Sequence, residues 1–194
     1  MKTMLSIAAL AASLVTLPTI ASAQRAPAAV IVVVDNERVF RECNACKTAS
    51  AQLQSMVSAA QTREKTLNAQ LQTEGTAIQT AANALGGKEP DAALKARAQA
   101  FEGKRNAATQ ELSRLQSNIQ STQSNVARQV NAKLGTVYTQ VMTARGANLA
   151  LDSGATLASA AALDVTTDVL TALNAALPSV SVTPMPASAA PKGR

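Results

Sequence analysis

The first structured signal along the chain is an unbroken β-branched run, Val30-Ile31-Val32-Val33-Val34, which reads as a buried strand. Asp35 and Asn36 follow as N-cap residues, and Glu37 falls where the positive end of a helix dipole favours a carboxylate, so a long helix is predicted to start there. From Leu53 a seam at alternating steps of three and four can be followed through Val57, Ala60, Glu64, Leu67, Leu71, Glu74, Ile78, Ala81 and Leu85. Two of those positions are acidic and two are alanine, which predicts a coiled-coil-like but loosely packed stripe.

Gly86-Gly87, with Pro90 just beyond, is the residue chemistry of a helix end and a chain reversal. A second seam then runs through Leu94, Ala98, Phe101, Arg105, Ala108, Leu112, Leu115, Ile119, Thr122 and Val126, and continues to Val130, Leu134, Val137 and Val141 with a local stutter. The two limbs predict a helical hairpin, each of roughly 50 residues and about 75 Å long. After a break at Arg145-Gly146-Ala147-Asn148, Leu149–Asp152 reads as a second short strand and Ala155–Ala158 as a third. Asp164 is placed to cap a closing helix over Val165–Leu177. Pro178, Pro184, Pro186 and Pro191 punctuate the remaining residues, 178–194, which read as a disordered tail.

The N-terminal 23 residues have a different character. Lys2 precedes an uncharged apolar stretch from Met4 to Ile20, and Ala21-Ser22-Ala23 forms a small-x-small cleavage site, the pattern of a signal peptide. Removal of that leader takes Lys2 with it and lowers the formal net charge from +6 to +5. The mature chain is expected outside the cytoplasm, with no later segment long and apolar enough to span a bilayer.

Composition then narrows the chemistry. The 194 residues are 47% hydrophobic, yet Phe40, Phe101 and Tyr138 are the whole aromatic complement, so alanine supplies much of the apolar content and a large monomeric core is not expected. Strands this short are expected to be marginal alone, with a core shared between subunits supplying the missing burial. With no histidine, Ser-His-Asp and Cys-His nucleophiles and imidazole metal ligands are excluded. Gly86-Gly87-Lys88-Glu89 lacks the spacing of a phosphate-binding loop. The chain reads as a non-enzyme without cofactor or metal.

Charge is segregated: Lys47 to Arg145 holds 12 basic and 6 acidic residues, whereas Ala147 to Leu177 holds Asp152, Asp164, Asp168 and no base. Arg63, Lys65, Lys88, Lys95, Arg97, Lys104 and Arg105 could attract an acidic client or an anionic lipid surface, or simply form a solvated helix face. Nucleic acid is not an expected partner, because export removes it and stacking aromatics are absent. Cys43-Asn44-Ala45-Cys46 leaves three readings open: a structural disulfide within or between subunits, a thiol-exchange site, or half a zinc site. Lys47, where histidine would have to stand, excludes haem attachment. Phe40 and Phe101 are expected in packing, and Tyr138 nearer the surface.

Two segments, Val32-Val33-Val34-Asp35-Asn36-Glu37-Arg38-Val39-Phe40 and Leu149-Ala150-Leu151-Asp152 followed by Asp164-Val165-Thr166-Thr167-Asp168-Val169-Leu170, resemble the OmpH-like (Skp) family of periplasmic chaperones, as does the texture of Lys95 to Arg105. The resemblance runs from residue 29 to about 175, and the order of elements carries it. It implies an α+β, mostly α fold: a small β body closed by trimerisation, with one long helical-hairpin arm per subunit. The divisions expected are 1–23 signal peptide, 29–46 body strand and start of the arm helix, 47–145 arm with its turn near 86–90, 146–177 body strands and closing helix, and 178–194 tail. Val30, Val32, Val34, Leu149, Leu151, Val169 and Leu170 are the expected body and trimer core. The implied function is an ATP-independent periplasmic holdase for unfolded outer-membrane proteins. The paired cysteines and the proline-rich tail depart from the family pattern. A secreted coiled-coil spacer or adaptor is the alternative, with thiol exchange a third reading.

Overall fold

A computed structural model describes residues 27–185, so the expected leader and residues 186–194 lie outside the described residues. The elements are β1 (Ile31–Val34), α1 (Asn36–Glu42), α2 (Asn44–Ala84), α3 (Ala92–Ala144), β2 (Leu149–Asp152) and α4 (Thr166–Ala176). β1 and β2 pair in parallel, with Ile31 opposite Leu149 and Val34 opposite Asp152. Parallel strands require a long crossover, and here the crossover is the whole hairpin of α2 and α3. The α+β, mostly helical class is therefore observed within one subunit.

The core sits where the hairpin meets the strands. Val32 and Val34 from β1, Val39 from α1, Val130, Leu134, Val137 and Val141 from the last turns of α3, and Val169, Leu170 and Leu173 from α4 form one buried cluster. The stuttered end of the second seam is the part of α3 that enters this cluster. At 53 residues against 41, α3 is about 80 Å long and α2 about 60 Å. Gly86 (φ 56°) and Gly87 (φ 90°) make the reversal in a backbone region that favours glycine, and Asp91 then caps α3 by accepting from the Leu94 N–H at 2.8 Å.

Four details differ from the sequence expectations. The arm helix does not run continuously from Asn36. It breaks at Cys43, whose extended backbone ends α1 and whose Sγ accepts from the Cys46 N–H as the cap of α2. No strand forms over Ala155–Ala158: short 3-10 turns over Ser153–Ala155 and Ala161–Leu163 flank irregular chain. The free edge of β1 is met only by a bridge between Val33 and Asp164. Alanine-rich sequence has little to pack on a pleated surface, and the Asp152 carboxylate instead accepts from the Gly154 N–H to close a local turn.

Phe40 is the third difference. It is 40% exposed rather than in the core, because Val39 takes the inward position on α1. The described part of the expected tail, residues 178–185, is the fourth. Leu177 and Val180 join the body cluster, and Ser181, Thr183 and Met185 are hydrogen-bonded to α3. Partners on α3, distant in sequence, hold residues 181–185 in place despite a composition that favours disorder.

Leu173 is fully buried at the centre of the cluster. Leu173→Ala should cost about 2–5 kcal/mol of stability, read as a lower urea midpoint of the circular-dichroism transition; a change below about 0.5 kcal/mol would place the stabilising core elsewhere.

Candidate functional site

The hairpin arm displays most of the sequence-predicted site residues. Its two limbs pack through the predicted seams, but with few buried side chains outside the base: Leu67 on α2, and Ala108, Ile119, Thr122 and Asn125 on α3. Gaps remain between the limbs, one of about 410 Å³ bordered by Leu67, Gln70, Leu71 and Ala108 and another of about 590 Å³ bordered by Val57, Ala60, Leu112 and Ile119. Gly75 admits the Phe101 ring, whose Cζ would lie only 3.2 Å from a Cβ at that position. The polar seam positions behave differently from apolar ones: Glu64 and Arg105 turn to solvent, while Glu74 stays half-buried against Lys104.

Charge across the limbs is organised in pairs. The Arg63 guanidinium donates from Nε and Nη2 to the two oxygens of Glu111, at 2.6 and 3.0 Å, and Lys104 Nζ reaches Glu74 at 2.7 Å. Lys95 pairs with Glu89, and Arg105 pairs with Glu102 while lying 6.0 Å from the Phe101 ring centroid. Four of the seven basic residues singled out by sequence thus serve the arm itself. Among the described residues, Lys65, Lys88 and Arg97 make no ion pair and present uncompensated charge.

Hydrogen bonds from Arg63 hold the Glu111 carboxyl below its usual range, with the guanidinium charge adding to them. The same partner raises Arg63 further above its ordinary value. At the base, hydrogen bonds from the Thr166 side chain and backbone hold Asp164 low. Asp164 accepts from the Thr166 N–H at 2.8 Å but stands one residue ahead of the N-cap position, which Val165 occupies without a side-chain cap, so α4 begins one residue later than expected. Burial, with the Asp152 charge, pushes the Tyr138 phenol up; its hydroxyl donates to Asn36.

Cys43 and Cys46 form a disulfide with each other. Both are buried, at 1% and 9% exposure, between α1, α2 and the body cluster. Both sulfurs are therefore committed to that bond, leaving no thiolate for zinc, and the bond is screened from an attacking thiol by packing.

Of the expected body and trimer core, Val32, Val34, Val169 and Leu170 are buried within the subunit and Leu151 is half-buried. Val30 and Leu149 are instead exposed at 47% and 41%, at the start of the strand pair. Leu157 is fully exposed. Sequence reading missed a further group, Ser121, Asn125 and Gln129, which hold the tail. Their spacing of four along α3 was the available signal, hidden because polar residues at that interval read as a solvated face.

The family model described as outer membrane protein (OmpH-like) matches residues 30–173, well over half of the chain. The chain belongs to the OmpH-like family. Its structure is similar to that of a Caulobacter crescentus CB15 protein provisionally designated an outer membrane chaperone (OmpH-like), with a TM-score of 0.67 at 20% identity, covering 84% of this chain and 95% of that one. At that identity the likeness is one of fold. No curated protein sequence matches the chain. Among the described residues, no helix is long and apolar enough to cross a membrane.

Two outcomes follow from this geometry. Closing so short a loop, the disulfide should contribute about 2 kcal/mol, so the Cys43→Ser/Cys46→Ser variant should melt earlier yet keep its helical content; loss of all helix on replacement would make the bond essential to folding. Because Glu111 titrates lower when folded than when unfolded, its contribution is present at neutral pH and is lost as pH falls below the ordinary carboxylate range and through the folded value. Glu111→Gln should flatten that acid limb of the thermal-stability profile, and identical profiles for variant and parent would contradict it.

Proposed function

We propose that this chain is an ATP-independent holdase chaperone that acts in the periplasm after its leader is cleaved, contains unfolded outer-membrane proteins between its arms, and works as a homotrimer. The observation that carries this reading is the arm itself. A hairpin of about 60–80 Å with so few buried side chains beyond its base exposes far more surface than its own folding requires. Family membership and the provisional designation of the Caulobacter protein support the same reading. Exposed Val30, Leu149 and Leu157 on the body supply an apolar surface that association would cover.

The mechanism is containment by many weak contacts. Half-buried seam residues beside the inter-limb gaps offer apolar contact, and Lys65, Lys88 and Arg97 add a field that attracts acidic clients or anionic head groups. The gaps also disfavour a rigid spacer, which would be better served by a continuous seam.

An unfolded outer-membrane β-barrel protein diluted from urea should stay soluble in the presence of the mature chain, whereas a spacer would leave its precipitation unchanged. Replacing Lys65, Lys88 and Arg97 together with glutamine should weaken client binding roughly fivefold at low salt, equivalent to about 1 kcal/mol for three exposed charges. The difference should shrink as salt rises; a salt-independent loss would point to damaged folding.

A further inference from the structure

After α4 the chain runs back along α3 toward the arm tip without regular secondary structure, bending at Thr183, and its contacts follow a regular pattern. Gln129 Oε1 accepts from the Ser181 N–H at 2.9 Å, and Gln129 Nε2 donates to the Ser181 carbonyl at 3.0 Å. One turn earlier on α3, Asn125 Nδ2 donates to the Thr183 carbonyl at 3.0 Å. A turn further, Ser121 Oγ accepts from the Met185 N–H at 2.9 Å. Three polar side chains at intervals of four thus meet tail residues at intervals of two.

Geometry makes that pairing repeatable. Four helical residues rise about 6 Å, close to the roughly 6.6 Å that two residues span when extended, so side chains four apart on a helix can reach backbone groups two apart on a non-helical chain, with the bend at Thr183 taken up within the stretch. All four bonds go to tail backbone; the Ser181 and Thr183 hydroxyls bond to each other instead. Asn125 is only 5% exposed, and Arg128 donates to its Oδ1 at 2.9 Å, which leaves the amide N–H₂ facing the tail. Pro184 falls where no N–H is drawn on.

We propose that Ser121, Asn125 and Gln129 form a sequence-tolerant site for non-helical polypeptide backbone, occupied within the chain by its own residues 181–185 and opened when the tail leaves. An unfolded client segment is the competitor, a point that rests on the chaperone reading. Backbone recognition suits a protein that must accept many sequences, and a tethered occupant at high effective concentration keeps the stripe covered against weak ligands. Arg128 acts as a positioning residue.

The test uses a labelled peptide of residues 181–194 and a second with the side-chain order scrambled but the three prolines kept in place, followed by fluorescence anisotropy. The receptors are the parent chain, a chain ending at Val180, and full-length Ser181→Pro, which removes the paired N–H without shortening the chain. Both peptides should bind the two opened forms within about threefold of each other and bind the parent at least about tenfold more weakly, as expected for a tethered competitor. Gln129→Leu in the opened forms should weaken both peptides equally. Equal binding to parent and opened forms, binding of the native order alone, or no binding to either opened form would overturn the proposal. An unfolded β-barrel should also bind the opened forms more tightly; if no form binds it while both peptides behave as expected, the stripe stands and the chaperone reading fails.

Discussion

The parallel pairing of β1 with β2 is the constraint on which the rest of this structure depends. It joins two four-residue strands at opposite ends of the arm, and neither has a local partner that could hold it. Side chains lock the junction: Asn148 accepts from the Val30 N–H and donates to the Ala28 carbonyl, both at 2.8 Å, while Thr166 Oγ1 accepts from the Asp35 N–H at 2.9 Å. Because α1 and α3 leave this junction directly, fixing the strands fixes the base of the arm. So small a sheet is marginal alone, and it persists here because α3 and α4 cover it.

Burial falls away from that junction. Near the body, α3 presents a buried side chain at nearly every seam step from Val130 to Val141, whereas toward the tip the contacts are half-buried residues, gaps and paired charges. Local stability follows buried apolar contact, so opening should be easiest at the tip and hardest at the base. Arg63 with Glu111 and Lys104 with Glu74 tie the limbs where apolar packing is thin. Such exposed pairs hold register more than they add stability, which suits an arm that adjusts to its guest.

Much of this organisation was legible in the sequence because it is local. Gly86-Gly87 fixes a reversal, Asp35 caps α1 through the Arg38 N–H, and the three-four spacing selects the contact faces of both limbs. What was not legible depends on residues far apart in the chain. Glu64 and Arg105 occupy seam positions by count but turn outward, since a long charged side chain can reach water from the edge of a seam. Phe40 is exposed because its neighbour Val39 takes the single inward place on a short helix. The tail docks because α3 offers polar partners at a matching interval, a coincidence of two periods that composition does not reveal.

Val30, Leu149 and Leu157 remain uncovered beside this small body, and the account holds that other copies of the chain cover them and thereby set three arms around a common space. Sedimentation equilibrium of the mature protein at micromolar concentration tests this most directly: a single species of three times the subunit mass is predicted, and a well-folded monomer would contradict it.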